Sequence, residues 1–224
     1  MRLNQWLVRS GVAPARRKAD EIIQSGRIRI NDQPAELGAR VEEPDHITLD
    51  NQLIQTKIIH PRLIAYNKPP GEVCSHRGQG DDETIFQSLP DEFAGFKLIG
   101  RLDKDSQGLV LITNDGDLAQ RLAHPSQGHL KRYRVRTDRP VHEDDIRSLR
   151  HETVLDGNST RFAGMREVAP STYEVILTEG RNRQIRRSFQ QRHYSVQLLE
   201  RESIGRYELG DLSVGAWREE VVHG

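Results

Sequence analysis

The sequence predicts an α+β protein in two parts, a small helix–helix–strand unit followed by a larger mixed domain. Three observations predict it. In the first fifty residues, apolar side chains recur at helical spacing and then switch to strand-like alternation. A polar stretch ending at Pro61 interrupts the pattern. Beyond it, β-like runs and helical segments follow one another without strict alternation, which argues against a doubly wound parallel sheet.

Taken in order, Leu3, Trp6 and Leu7 mark a first helix, and Gly11 ends it. Pro14 is expected to open a second helix, with Ala19, Ile22 and Ile23 on one face and Gly26 as its C-terminal cap. Arg27-Ile28-Arg29-Ile30 alternates polar with apolar and reads as a half-buried strand, closed by the turn signal Asn31-Asp32. Val41 and Ile47-Thr48-Leu49 offer further short strands. In the larger part, strands are expected at Leu63–Tyr66, Leu109–Ile112, Tyr133–Val135 and Tyr173–Leu177, and helices near 116–123, 142–150 and 182–192.

The chain has 224 residues, 35% hydrophobic and 29% charged, which suits a polar globular protein. No run approaches the roughly 20 apolar residues of a membrane span. The first residues lack the apolar core of a secretory signal, so a cytoplasmic location and no membrane partner are expected. The single cysteine, Cys74, excludes an intrachain disulfide and a cysteine-cluster zinc site.

The 33 basic residues balance 33 acidic ones, yet they are unevenly placed. Residues 1–29 carry Arg2, Arg9, Arg16, Arg17, Lys18, Arg27 and Arg29 against Asp20 and Glu21. Residues 129–139 carry five basic side chains against Asp138, and residues 180–192 carry five against none. Three basic segments on a neutral chain point to a one-sided anionic ligand.

The segment most informative about chemistry is Gly100-Arg101-Leu102-Asp103-Lys104-Asp105-Ser106-Gln107-Gly108-Leu109, running into an apolar strand. A carboxylate held at a sheet edge beside an arginine is kept ionised. It can serve as a nucleophile or as an electrostatic stabiliser. Asp105 and Asp115 are rivals; Asp105 reads as a turn or capping residue and Asp115-Gly116 as a turn before a helix. Cys74 reads as a buried filler, His124 before Pro125 as a helix-end residue, and Gly78-Gln79-Gly80 as an exposed loop.

Two resemblances carry the reading further. Arg-Leu-Asn-Gln-Trp-Leu, Arg16-Arg17-Lys18-Ala19-Asp20 and Ser25-Gly26-Arg27-Ile28-Arg29-Ile30-Asn31 resemble the alpha-L RNA-binding module first described in a ribosomal small-subunit protein. A serine is frequent in that module where Ala15 stands here, so one capping or phosphate contact is missing. The Asp103 segment, Asn67-Lys68-Pro69-Pro70-Gly71, Lys131-Arg132-Tyr133, Glu179-Gly180-Arg181-Asn182-Arg183-Gln184-Ile185-Arg186-Arg187 and Gly215-Ala216-Trp217-Arg218 occur in an order that resembles the bacterial ribosomal-RNA pseudouridine synthases carrying that module. The Asp103 string looks closest to the large-subunit subgroup.

The resemblance implies an RNA-binding domain over 1–50, a linker over 51–61 and a synthase domain with a mainly antiparallel sheet over 62–224. It implies isomerisation of uridine to pseudouridine in structured RNA, most readily 23S ribosomal RNA. The same chemistry on 16S or transfer RNA, and an inactive ribosome-assembly factor, remain as alternatives. It implies no cofactor and no metal, because the reaction is a redox-neutral isomerisation, and a monomer is expected. Asp103 matches the catalytic aspartate, Tyr133 the tyrosine that stacks on the flipped base, and Arg186 the arginine that pairs with the aspartate. Arg101 is expected to hold the extruded nucleotide. Lys68, Arg181 and Gln184 are candidates for the site's shell or for RNA contact, alongside Arg2, Arg16, Arg17, Lys18, Arg27 and Arg29 in the first module.

Overall fold

A computed structural model describes residues 1–54, 60–78, 80–123 and 128–222. It divides into two compact units, Met1–His60 and Pro61–Gly224. His124, Pro125, Gln79 and part of the 51–61 stretch lie outside the described residues.

The first unit opens with α1 (Leu3–Arg9), α2 (Arg16–Gln24), β1 (Ile28–Ile30), β2 (Gln33–Pro34), β3 (Ile47–Leu49) and β4 (Gln52–Leu53). The strands form a sheet in the order β2-β1-β3-β4. Leu3, Leu7, Ala19 and Ile23 bury the helical stripes against Ile28, Val41 and Ile47. Gly26, at φ +72°, follows α2, and its N–H is donated to Ile23 O at 3.0 Å. The second helix starts later than Pro14 suggests. Ala13 is buried in the core, and Ala15 is extended at φ −157°. Pro14 therefore belongs to the approach, and the helix begins at Arg16. Ala15 caps nothing with its side chain, which leaves the first-turn amides beside the exposed Arg16 and Arg17.

The second unit continues with β5 (Leu63–Lys68), α3 (Ile85–Ser88), β6 (Lys97–Ile99), β7 (Gln107–Thr113), α4 (Gly116–Ala123), β8 (Lys131–Thr137), α5 (Glu143–His151) and β9 (Thr153–Leu155). Then come β10 (Asn158–Thr160), β11 (Gly164–Ala169), β12 (Thr172–Leu177), α6 (Gln184–Gln190), β13 (Val196–Ile204), β14 (Tyr207–Glu208) and β15 (Trp217–Glu220). The main sheet runs β11-β12-β8-β13-β7-β5-β15, with β6 beside β7 and β14 beside β13. Every pairing in it is antiparallel except β13 with β7. β9 and β10 form a separate hairpin.

Both faces of the central strands are covered, which is why they read as continuous apolar runs. Ile64, Tyr66, Val110 and Ile112 face one core with Leu149, Ile185 and Phe189. Leu63, Ala65, Leu109 and Leu111 face the other with Leu118 and Ile204. Asp115 is not a bare turn: its Oδ1 accepts from the N–H groups of Asp117, at 2.8 Å, and Leu118, capping α4.

One topological feature positions the site. On a single edge of β7, residues 111–113 pair with β6, whereas residues 107 and 108 pair with β13. The segment 100–106, which joins β6 to β7, leaves the sheet where β7 changes neighbours. Gly108 makes the change possible. A Cβ there would lie 2.5 Å from the Arg201 carbonyl oxygen, and its φ is +101°.

Candidate active site

The segment 100–106 forms one wall of a cleft of about 590 Å³. Asp103 lies in this wall, and its side chain is 29% exposed. The wall is fixed from behind by buried groups. Lys68, fully buried at the end of β5, donates to Pro69 O at 2.7 Å, Ser106 O at 2.8 Å and Lys104 O at 3.3 Å. The Gly71 amide also donates to Lys104 O. The Leu102 amide donates to the Cys74 sulfur at 3.3 Å. Arg201, 1% exposed, donates from Nη1 to Arg101 O at 3.2 Å and from Nε to Leu109 O at 2.7 Å. The Asp103 carbonyl accepts from the Ser106 amide, closing a turn. Burial pushes the Cys74 thiol up and the Lys68 ammonium down from their ordinary pKa values.

The floor comes from β8, β12 and β13. Tyr133 is opposite Val175 on one side and Arg201 on the other, and it is 7% exposed. Leu177, Lys131 and Ile204 form the next row, and Tyr133 and all three line the cleft.

The far wall is the start of α6. Arg183, in the left-handed region at φ 47°, grips Asp105 with two hydrogen bonds of 2.8 Å. Its Nη1 also lies 3.8 Å from Asp103 Oδ2. Arg186 reaches Asp105 Oδ2 at 3.2 Å, Asp105 O at 2.8 Å and Val196 O at 2.9 Å. The Arg183 hydrogen bonds, then the Arg186 and Arg183 charges, hold the Asp105 carboxyl below the ordinary aspartate pKa, although partial burial opposes them.

These contacts correct two expectations and decide between two alternatives for Lys68 and Gln184. The carboxylate in contact with Arg186 is Asp105, not Asp103, and Arg183 is the arginine that approaches Asp103 from within the cleft. Asp105 is not a capping residue but the shared counter-ion of two arginines. Lys68 and Gln184 are shell residues, because both are buried with their polar groups committed internally; Gln184 Oε1 accepts from the Arg181 amide at 3.1 Å, and its Nε2 donates to Thr160 Oγ1 at 2.5 Å. Neither can be offered to RNA.

Arg101 is exposed at the cleft, and Arg181 lines it while donating to Asn158 O and Ser159 O. In the first unit Arg2, Arg16, Arg17 and Lys18 are exposed, Lys18 pairing with Glu21. Arg27 is tied to Asp50 at 2.5 Å, and Arg29 donates to Asp32 O. Sequence reasoning missed Arg183 and Arg201. Arg183 lay inside a recognised motif, whereas Arg201 lies in the charged run Glu200-Arg201-Glu202, which gives no signal of a buried strand.

A carboxylate with no side-chain hydrogen bond among the described residues therefore faces a cleft floored by a tyrosine ring and ringed by cations. This arrangement suits a flat, neutral base attached to an anionic backbone. Residues 62–191 match the family model described as RNA pseudouridylate synthase, and residues 1–47 match the S4 domain. This chain belongs to the RNA pseudouridylate synthase family. The synthase is 35% identical to the dual-specificity RNA pseudouridine synthase RluF of Escherichia coli K12 over 98% of its own length and 75% of the relative's. It is also 35% identical to the ribosomal large subunit pseudouridine synthase B of Pseudomonas aeruginosa, over 97% of its length and 59% of that protein's. A solved pseudouridylate synthase superposes with a TM-score of 0.69 at 29% identity, covering 99% of this chain and 96% of that one. The fold class and the enzyme class read from the sequence agree with these likenesses. Among the described residues no helix is long and apolar enough to cross a membrane.

Proposed function

We propose that this synthase isomerises uridine in large-subunit ribosomal RNA, with Asp103 as the reacting carboxylate and Tyr133 as the platform for the extruded base. The observation that carries the reading is the juxtaposition in one cleft of the Tyr133 ring and an Asp103 carboxylate on a pinned backbone, with no side-chain hydrogen bond among the described residues. A uridine stacked in a helix cannot reach such a cleft, so it is flipped out, and the ring replaces part of the lost stacking. Breaking the bond from ribose C1′ to uracil N1 builds positive charge on the sugar, as in other glycosyl transfers. A carboxylate beside that carbon stabilises it while the uracil turns and rejoins through C5. Arg183 Nη1 stands 3.8 Å from Asp103 Oδ2, and its two hydrogen bonds to Asp105 keep it from capping the Asp103 carboxylate.

The name of the Pseudomonas aeruginosa relative, a ribosomal large subunit pseudouridine synthase, supports large-subunit ribosomal RNA as the substrate. The residues of 1–50, with Arg16 and Arg17 at the open end of α2, act in this reading as the RNA anchor, 51–61 as the linker and 62–224 as the catalytic domain. The test is carbodiimide–primer extension across ribosomal and transfer RNA from cells with and without the gene. One or more stops in 23S RNA should vanish with the gene and return with the wild type but not with Asp103→Asn. Stops lost only from 16S or transfer RNA would overturn the substrate, and an unchanged map would overturn the activity.

A further inference from the structure

The floor of the cleft carries positive charge that the roles above leave unused. Lys131 precedes Tyr133 by two residues on β8, so the two side chains leave the same face of the strand. Arg201 is the register partner of Tyr133 on β13, which places it across from the ring on that face. Arg201 is almost wholly buried, and its Nη2 has no hydrogen-bond partner among the described residues. Lys131 is half-buried and makes no hydrogen bond or ion pair with a described residue; burial first, and then the Arg201 charge, lower its pKa, against a weaker pull from Glu179. Glu179 is already committed to Arg181 at 3.2 Å, to Thr160 and to Gln184. Two adjacent cations with no dedicated counter-ion are costly to keep in a folded protein. Lys68, equally part of the site's frame, shows the contrast, with three carbonyls around its ammonium. A cation left unpaired beside a base platform is placed for a charge that exists only during reaction.

We propose that Lys131, with the Arg201 charge behind it, is the anion site for the uracil base, taking the negative charge that reaches a uracil carbonyl oxygen when the C1′–N1 bond breaks. This rests on the reading of the cleft as a uridine isomerase. The electron pair of the broken bond stays with the base and spreads onto its carbonyl oxygens. Lys131 stabilises it through a charge-assisted hydrogen bond and gives up no proton. A pair from the base returns to the ribose carbon as the C1′–C5 bond forms; the proton on C5 is lost, and N1 gains one. Arg201 acts as a positioning residue, through its field and its hold on Arg101 O.

An RNA phosphate is the other anion that could meet Lys131, and the test separates the two. The probe is a 23S ribosomal RNA transcript labelled with tritium at uridine C5, which releases tritium to water as the product forms. Lys131→Met and Lys131→Arg are compared with the wild type in single turnover at saturating enzyme, in RNA binding across salt, and in melting temperature. Lys131→Met should lose about 100-fold in rate, keep its RNA affinity and salt slope, and melt no lower than the wild type, because it removes an unpaired buried charge. Lys131→Arg should recover at least about tenfold of that loss. An unchanged saturating rate with weaker binding and a salt slope smaller by about 0.7–0.9 would assign Lys131 to a phosphate and overturn the proposal. A rate loss matched by a fall in melting temperature would make it structural and overturn it equally. Failure of the wild type itself to release tritium would instead sink the isomerase reading.

Discussion

The two sides of the cleft treat their charged groups in opposite ways. Apart from the Asp103 carboxylate itself, the wall that bears it is tied down: Lys68 holds three carbonyls, Cys74 and Arg201 hold the backbone before Asp103, and Asp105 is shared by two arginines. The floor is not: among the described residues Lys131 makes no hydrogen bond or ion pair, and Arg201 Nη2 has no hydrogen-bond partner. Such bonding fixes geometry, because the buried polar groups behind the turn already have their partners. Unsatisfied charge stores binding capacity for a ligand. The difference teaches that the backbone bearing the carboxylate is held in place while the floor keeps cations that the fold itself does not neutralise.

This contrast can be broken from the wall side. The largest effect is expected from Gly108→Ala, whose methyl group would collide with the Arg201 backbone and whose φ would be strained. It should cost about 3 kcal/mol or more, read by urea unfolding, and separate β7 from β13. Lys68→Met comes next. It strands the carbonyls of Pro69, Lys104 and Ser106, should cost about 2–4 kcal/mol, and should slow single turnover because the Asp103 turn loosens. A Lys68→Met protein as stable as the wild type would show that the wall is not held by this ammonium.

Asp105→Asn sharpens the comparison with a smaller effect. Its carboxyl is about half exposed, so the loss should be only about 1 kcal/mol. Released from Asp105, Arg183 is free to close the 3.8 Å gap to Asp103 and cap it, and the rate should fall about tenfold. The sign with pH is fixed. The folded-state pKa of Asp105 lies below its ordinary value of about 3.9. Its contribution is therefore full above that value and lost as the pH falls through the lowered one. The stability gap between wild type and Asp105→Asn should close in that acid range. The smallest effect concerns the first unit: Arg17→Ala, at the exposed start of α2, should leave the saturating rate unchanged and reduce the salt slope of RNA binding by about 0.7–0.9.

Much of this was legible in the residues. The runs at 63–66, 109–112, 133–135 and 173–177 became β5, β7, β8 and β12: β5 and β7, buried on both faces, show as continuous apolar residues, and β8 and β12, buried on one face, as alternation. The longest strand, β13, did not. Its Glu200-Arg201-Glu202 core looks like surface, and two register shifts break the alternation. In the sequence, Lys68 stands open between the site's shell and an RNA contact. Its partners are loop carbonyls that only folding brings to it. Arg186 and Asp103 match a motif, but which carboxylate an arginine touches depends on how the turn at 103–106 presents Asp103 and Asp105, and spacing alone cannot fix that. The N-terminal helix start moved from Pro14 to Arg16 because burying Ala13 required an extended approach.

The central claim is that Asp103 in this cleft carries out the isomerisation, and one measurement addresses it directly. Tritium release from C5-labelled 23S ribosomal RNA is followed in single turnover for the wild type and Asp103→Asn, with RNA affinity measured on the same preparations. The account predicts complete release at the target sites by the wild type, a loss of roughly 10⁴-fold or more for the variant, and equal affinity. Undiminished release by Asp103→Asn would contradict it.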